Sequence, residues 1–301
     1  MKKIVVLMST YNGEEYIKDQ IESILSQTYN NLELIVRDDG STDSTKKILE
    51  SYSLKGDLSW YSGENIKPAL SFINLVKKAP RADYYAFSDQ DDVWDSDKIE
   101  IALDFLDKKQ TNIPILYCST TRLVDKKLNV IRQSSKNNYR LTFGESLVQI
   151  PSPGCTYVFN NKARELLHYQ QLRDVYMHDA LLYKLVIGLG EVIFDKTPHI
   201  SYRQHENNVV GNERSIYKKN YKRFKRFFFT NEPNKKHIMA CQIKSTYGHL
   251  FIGENFDSLE IFVGYRRSFI KRLRLAFNKD IKSASKVTNV FLIILSILGK
   301  L

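Results

Sequence analysis

Cysteine is scarce. Cys118, Cys155 and Cys241 are the only three in 301 residues, odd in number and far apart. That excludes a disulfide framework and a thiolate metal cluster of the usual close spacing, and it suits a reducing, cytosolic compartment. A long apolar run is missing too. The greasiest stretch, Val290 to Leu298, is nine residues, whereas a bilayer span takes ~20. The opening run Ile4-Val5-Val6-Leu7-Met8 is too short for the core of a secretory leader, and polar residues follow it at once. No internal repeat is present. No basic, glycine-rich phosphate loop follows the first expected strand, where the turn reads Ser9-Thr10-Tyr11-Asn12-Gly13-Glu14-Glu15. Positive charge is also lacking where a nucleic-acid-binding body would need it. Residues 1–210 hold 26 Lys and Arg against 28 Asp and Glu, while residues 211–301 hold 19 against 6. The net charge of +11 therefore belongs to the C-terminal third: a near-neutral body carries a basic tail that faces something anionic.

What is present is a regular alternation. Residues 3–8, 32–36, 58–61 and 84–88 read as strands. Helices follow from Glu14, across Lys46-Lys47-Ile48-Leu49, from Pro68 and over Lys98–Lys109. Four β–α alternations in 110 residues predict a parallel sheet flanked by helices. After Pro114 the alternation loosens: a strand at 115–118, a polar loop or irregular hairpin at 125–140, a strand from Cys155 to Phe159, a helix from Asn161, an apolar helix at 178–188, and short strands at 192–194 and 199–202. The polar segment Gln204-His205-Glu206-Asn207-Asn208 closes this part, and the domain boundary is expected at 210, with a basic helical region over 211–301.

Two strand ends carry concentrated negative charge. Tyr84–Ser88 runs into Asp89-Gln90-Asp91-Asp92-Val93-Trp94, and Leu32–Val36 runs into Arg37-Asp38-Asp39-Gly40-Ser41-Thr42-Asp43. In open α/β sheets ligands bind outside the carboxyl ends of strands. Carboxylates packed this closely repel unless a cation sits among them. Asp89, Asp91 and Asp92 offer hard oxygens that suit Mg²⁺ or Mn²⁺; the competing reading is an acidic turn in which Asp92 or Asp95 caps the following helix. Asp179, at the start of the 178–188 helix, is either its cap or a functional carboxylate favoured in its ionised form by the helix dipole. Trp94 reads equally as core or as ligand-facing. Cys155 has no neighbouring base in the sequence to make it a nucleophile.

Taken together, Tyr11-Asn12-Gly13, Val36-Arg37-Asp38-Asp39-Gly40-Ser41-Thr42-Asp43, Ser88-Asp89-Gln90-Asp91-Asp92-Val93-Trp94 and His178-Asp179 resemble, in order and spacing, the motifs of the family-2 glycosyltransferases of the GT-A fold. The resemblance covers about residues 1–210. The family turn often begins with Pro, where this chain has Ser9. The form of the third motif, Pro153-Gly154-Cys155, and Tyr202-Arg203-Gln204-His205 followed by Asn207-Asn208 look like the bacterial rhamnosyltransferase-like branch, whose members build cell-wall and capsular polysaccharides from dTDP-L-rhamnose. Relatives with the same residues use UDP-hexoses.

The resemblance implies a hexosyltransferase-class enzyme that moves a sugar from a nucleoside diphosphate to an acceptor hydroxyl. It makes Asp91 the principal ligand of Mg²⁺ or Mn²⁺, supported by His205, with Asp89 on the ribose or the metal shell. Thr10 and Tyr11 form the nucleotide turn, Tyr11 stacking on the pyrimidine, and Asp39 accepts the ring N3–H while Asp38 shapes the turn. Asp179 is the general base; with one base and no nucleophile, transfer inverts the anomeric centre. Arg203 reaches the diphosphate, and His178, Trp94 and Gly154 border the acceptor side.

The C-terminal third interleaves cations with aromatic and aliphatic groups, in Lys218–Phe229 and again in Arg266–Leu275. Such segments lie in the interface of anionic membranes; the alternative is an ordinary helical subdomain with a solvated basic face. The expected partners are a nucleotide-sugar donor, a lipid-linked saccharide acceptor and an anionic membrane surface, with no nucleic acid, and the expected location is the inner face of the cell membrane. Two other classes compete. A sugar nucleotidyltransferase would release pyrophosphate. A nucleic-acid or membrane adaptor acting through the basic third leaves both carboxylate clusters unexplained.

Overall fold

Five consecutive apolar residues, Ile4 to Met8, build a strand buried on both faces, β1 (Ile4–Thr10), as expected of a strand covered by helices on either side. A computed structural model of the chain describes residues 1–110, 112–133, 138–168, 175–205 and 235–301. These fall into two compact units, one of Met1–Lys136 with Pro151–Arg203, the other of Asn137–Ile150 with Gln204–Leu301. A single cut at residue 210 was the sequence expectation; instead the first unit ends at Arg203, and a segment from the middle of the chain joins the second.

In the first unit, β1 is followed by α1 (Ile17–Leu25), β2 (Leu32–Asp38), α2 (Thr45–Ser53), β3 (Ser59–Ser62), α3 (Lys67–Lys78), β4 (Tyr84–Ser88), β5 (Val93–Trp94) and α4 (Lys98–Leu106). Then come β6 (Ile115–Val124), β7 (Val130–Gln133), β8 (Val158–Asn160), α6 (Asn161–His168), α7 (His178–Leu189) and β9 (Glu191–Arg203); α5 belongs to the second unit. Helices form where apolar residues recur on one face: Ile17, Ile21 and Ile24 of α1 are buried, as are Phe72, Ile73 and Val76 of α3. Pro68 stands in the first turn of α3, where its missing N–H costs nothing.

The sheet runs β3-β2-β1-β4-β8-β6-β9-β5, with β7 paired to β6. Its first four strands are mutually parallel, as the alternation predicts; β8 then enters antiparallel between β4 and β6. Register places Thr10 opposite Asp38 and Met8 opposite Ser88. The turns after β1, β2 and β4 therefore open at one edge of the sheet, and this is what brings the sequence motifs together.

The later strands differ from expectation for local reasons. The two short strands at 192–194 and 199–202 are one strand, β9, which runs parallel to β6. Ser119 faces Asp195 and the next residue, Thr120, faces Pro198, so Lys196 and Thr197 bulge out of the ladder. Asp195 accepts from Tyr117 Oη at 3.0 Å and pairs with His199 at 2.9 Å, which lets a polar run persist inside a strand. Residues 154–156 form a tight 3₁₀ turn, so the strand expected from Cys155 begins only at Val158. The 125–140 stretch begins as a hairpin: Asp125 Oδ1 accepts the N–H groups of Lys127 and Asn129 at 2.9 Å and turns β6 into β7.

The second unit is helical, with α5 (Phe143–Ser146), α8 (Lys235–Tyr247), α9 (Gly253–Gly264), α10 (Phe269–Ala276) and α11 (Lys286–Leu298). The Arg140 guanidinium donates to the carbonyls of Lys279, Asp280 and Lys282 at 2.7–2.9 Å, and the Phe143 and Phe251 rings meet at 4.9 Å. The basic stretch Lys218–Phe229 and Asn207-Asn208 lie outside the described residues. No helix among the described residues is long and apolar enough to cross a membrane.

Candidate active site

The turn after β4 is the centre of the site. Asp89 is partly buried and Asp92 wholly buried. One ligand atom each from Asp89, Asp92 and Cys155 lies within 4.8 Å of the others. Burial, then the neighbouring charges of Asp91 and Asp179, push the Asp89 carboxyl up to about 7. The same desolvation, with Asp91 and Asp89 beside it, drives Asp92 well above the ordinary carboxylate range. Asp92 Oδ1 accepts the Arg203 N–H at 3.1 Å, while Oδ2 has no hydrogen-bond partner among the described residues. An orphaned buried carboxylate oxygen within a group of mutually repelling carboxylates fits a divalent cation. Hard oxygens select Mg²⁺ or Mn²⁺. The Cys155 thiol is pushed up by burial and by Asp92 and Asp89, so it stays protonated and is a poor ligand.

Neither competing reading of these aspartates as helix caps holds. α4 begins after Asp97, with no side-chain cap bond. Asp95 instead takes a bidentate pair from Arg122, both contacts at 2.9 Å. Asp179 is not the N-cap of α7 either; that position is Met177. Asp179 is buried and accepts the Gly154 N–H at 3.0 Å and the Ala180 N–H at 2.6 Å. Each oxygen keeps a lone pair for a further proton. A Cβ on residue 154 would stand 2.7 Å from the Asp179 Cβ, so only glycine permits this approach. The sheet thus sets Asp179, ninety residues downstream of Asp89, close enough to raise its pKa.

His178 also lies beside Gly154, its Nε2 3.3 Å from where a Cβ on residue 154 would stand. Its ring stacks on Phe72 at 4.0 Å and meets Phe87 edge-on at 4.8 Å. Neither ring nitrogen has a hydrogen-bond partner among the described residues, and burial lowers its pKa to about 4, so the imidazole is neutral at physiological pH.

The nucleotide-turn residues assemble as the register requires. Tyr11 is 46% exposed, its ring available at the sheet edge. Thr10 is buried; its carbonyl accepts the Asp39 N–H at 2.8 Å and its hydroxyl donates to Gln90. Gln90 also accepts the Tyr11 N–H at 2.9 Å and donates to the Tyr11 carbonyl at 3.2 Å. It ties this turn to the β4 turn. In the sequence Gln90, a neutral side chain between carboxylates, carries no chemical signal of its own. Asp38 shapes its turn by accepting from Gly40 N–H, Ser41 N–H and Ser62 Oγ at 2.7–3.2 Å. Asp39 is buried, paired with Arg37 and bonded by the N–H groups of Ile66 and Lys67 at 3.2 and 2.9 Å.

Two expectations are corrected. Trp94 does not face an acceptor: β5 pairs with β9 through Trp94 and Ile200, and alternation along the strand turns the indole into the hydrophobic core. The buried Lys98 ammonium lies 3.6 Å over that ring, and desolvation lowers its pKa to about 7. Arg203 is 2% exposed and does not extend toward a ligand. Its guanidinium donates to the Asp91 carbonyl at 2.9 Å, the Lys126 carbonyl at 2.6 Å and Asp19 Oδ2 at 2.9 Å, over the Tyr16 ring at 4.5 Å. Arg203 therefore fixes the backbone that carries Asp91. His205 follows two residues later, in the second unit.

The α/β sheet with its acidic turns gathered at one edge has the GT-A fold of the glycosyltransferases. Residues 5–166 match Glycosyl transferase family 2, and the chain belongs to that family. It is 32% identical over 240 residues to a dTDP-rhamnosyl transferase, RfbG, of Shigella flexneri, covering 72% of this chain and 77% of that one. It is 35% identical over 115 residues to an Escherichia coli UDP-Glc:alpha-D-GlcNAc-diphosphoundecaprenol beta-1,3-glucosyltransferase, WfgD, covering 38% and 44%. In fold it is similar to S. aureus TarS 1-349 crystallised with UDP-GlcNAc, at a TM-score of 0.57 and 16% identity, over 98% of this chain and 79% of that one.

Proposed function

We propose that this glycosyltransferase moves L-rhamnose from dTDP-L-rhamnose to a hydroxyl of a lipid-linked saccharide, with inversion, in the synthesis of a cell-surface polysaccharide such as a capsule. The observation that carries the mechanism is that the buried Asp179 accepts at 3.0 Å the N–H of Gly154, the residue next to Cys155, whose thiol lies in the Asp89–Asp92 group. A proton acceptor then stands beside the group that receives the donor's diphosphate, as a single displacement demands. Asp179 removes the acceptor proton as the hydroxyl attacks the anomeric carbon, and the β-linked donor yields an α-rhamnoside. Tyr11 stacks on the pyrimidine. Asp39 Oδ2, which takes one hydrogen bond from Lys67, has a second lone pair for the ring N3–H, a contact cytosine cannot make. Asp91, with Asp89, would hold Mg²⁺ or Mn²⁺, which when bound neutralises charge on the departing diphosphate. His178 and Gly154 border the acceptor.

The rhamnosyl donor is favoured by the likeness to the Shigella enzyme, which extends over most of both chains. A UDP-hexose donor (glucose, galactose or N-acetylglucosamine) is the second reading, favoured by the likeness to the Escherichia coli relative. The enzyme works at the inner face of the cell membrane as a peripheral protein, where lipid-linked acceptors are presented.

The test is turnover with dTDP-rhamnose, UDP-glucose, UDP-galactose and UDP-N-acetylglucosamine side by side, with and without Mn²⁺, on detergent-solubilised lipid-linked saccharides. Release of dTDP from dTDP-rhamnose alone supports the first reading; release of UDP supports the second. Asp179→Asn is expected to lose turnover by a factor of about 10³ or more while nucleotide binding persists. Normal turnover by that variant would falsify the assignment of the base.

A further inference from the structure

Helix α11 carries an exposed stripe made only of apolar residues. Val287, Val290, Ile294 and Leu298 recur at helical spacing and are each between 41% and 57% exposed. The opposite face, with Leu292 and Leu295, is buried in the second unit. A solvent-facing helix normally shows polar residues on its outer stripe, and an apolar surface of this kind marks an interaction site. The helix is sharply bounded. Ser285 Oγ accepts the Thr288 N–H at 3.3 Å at one end, and at the other Gly299 adopts φ +69° and the Lys300 N–H bonds to the Leu295 carbonyl at 2.8 Å. Thirteen residues are too few to cross a bilayer and enough to lie along one.

The neighbouring helix α10, packed against α11, adds exposed Phe269, Ile270 and Phe277 among exposed Arg266, Arg267, Lys271 and Arg274. From residue 266 to the last, 301, there are nine Lys and Arg and one acidic residue, Asp280. A second copy of this chain would bring the same positive surplus to the interface and be repelled. A surface that is both anionic and apolar beneath satisfies both features at once.

We infer that the α10–α11 face docks on an anionic lipid bilayer, with Val290, Ile294, Leu298, Phe269 and Ile270 entering the acyl boundary and the surrounding cations meeting the headgroups. This deepens the membrane part of the function proposed above and is independent of donor identity and of the chemistry of transfer.

The experiment is flotation of the full chain with phosphatidylcholine vesicles, alone and with about a third phosphatidylglycerol. It compares wild type with a Val290→Glu, Ile294→Glu double variant and with an Arg267→Gln, Lys271→Gln, Arg274→Gln triple variant. These positions are exposed, so folding is retained and is checked by circular dichroism. Binding is expected only with the anionic vesicles and is expected to fall about tenfold or more in each variant; the wild-type interaction should weaken as salt rises to ~0.5 M. Variants that bind as wild type overturn the assignment of this face while leaving membrane association standing. A wild type that binds neither vesicle overturns both. A wild-type dimer in solution that the glutamates dissociate, without vesicle binding, makes the face a self-association surface and overturns the lipid reading.

Discussion

The ends of β2 and β4 look alike as sequence, a buried strand running into clustered aspartates, and they are electrostatically opposite. At the end of β2 every carboxylate is matched. Asp38 collects N–H and O–H donors around a turn, and Asp39 pairs with Arg37 and two backbone amides. At the end of β4 the carboxylates face one another. Asp89 is raised by burial and by Asp91 and Asp179, Asp92 by burial and by Asp91 and Asp89, and an oxygen of Asp92 is left unbonded among the described residues. An acidic turn matched this fully has no charge left for a cation, although Asp39 keeps a lone pair for a neutral N–H; the unmatched turn is the one suited to a cation. Negative charge alone does not mark a site; uncompensated negative charge on a fixed backbone does.

That contrast can be broken by exchanging its terms. Asp91→Asn is expected to have the largest effect, a loss of turnover by about 10³ or more. Its melting temperature without divalent cations should equal or exceed that of wild type, since a repelled charge is removed. Added Mn²⁺ should raise the melting temperature of wild type and not of the variant, as differential scanning fluorimetry would show. Asp38→Ala should do the reverse. Stranding the Gly40, Ser41 and Ser62 donors costs about 2–4 kcal/mol, read by urea titration, and the Mn²⁺ shift should survive.

Arg203→Lys sharpens the comparison. The planar fork that joins Asp91, Lys126 and Asp19 is lost although charge is kept. We expect the apparent affinity for Mn²⁺ and kcat/KM to fall about 10–100-fold, the range for residues that orient metal ligands. A purely structural arginine would lower the melting temperature and leave the Mn²⁺ dependence where it was.

The smallest effect concerns His178, a buried group beside the β4 end that is accommodated by neutrality rather than by partners. Its pKa of about 4 lies below the ordinary ~6.5. Between these values the unfolded chain binds the extra proton, so stability rises with pH across that window, is complete above it and is lost on acidification. Lowering pH from 7.5 to 5.5 should cost wild type about 1.4 kcal/mol through this residue. His178→Phe, which keeps the stack on Phe72, should remove that part of the pH dependence in urea titrations.

The first 110 residues were legible because their signals are local. Strand and helix periods, Pro68 at a helix start and Gly40 after paired aspartates each declare themselves within a few positions. So were the carboxylates at both strand ends, because clustered like charge is conspicuous in a string of letters; His178-Asp179 stands out only through its resemblance to the family motif. Gln90 was not legible, since its importance lies in joining Thr10 and Tyr11 to the β4 turn, eighty positions along the chain. An aromatic beside a motif reads equally as core or ligand contact, as Trp94 does, and a cation there suggests ligand contact, as Arg203 does. Pairing of β5 with β9 turned the first inward and buried the second.

The sequence by itself determined the α/β alternation, the family motifs, the division into a near-neutral body and a basic tail, and which residues carry removable protons. These follow from periodicity and side-chain chemistry, which need no partner to be read. Only the tertiary structure decided which aspartates are satisfied and which are not, that Asp179 stands beside Asp89, that Arg203 is a clasp, and that the apolar stripe of α11 faces outward. Each of these is a relation between groups far apart in the chain, and desolvation and pairing, the forces that set their energies, exist only once the chain has brought them together.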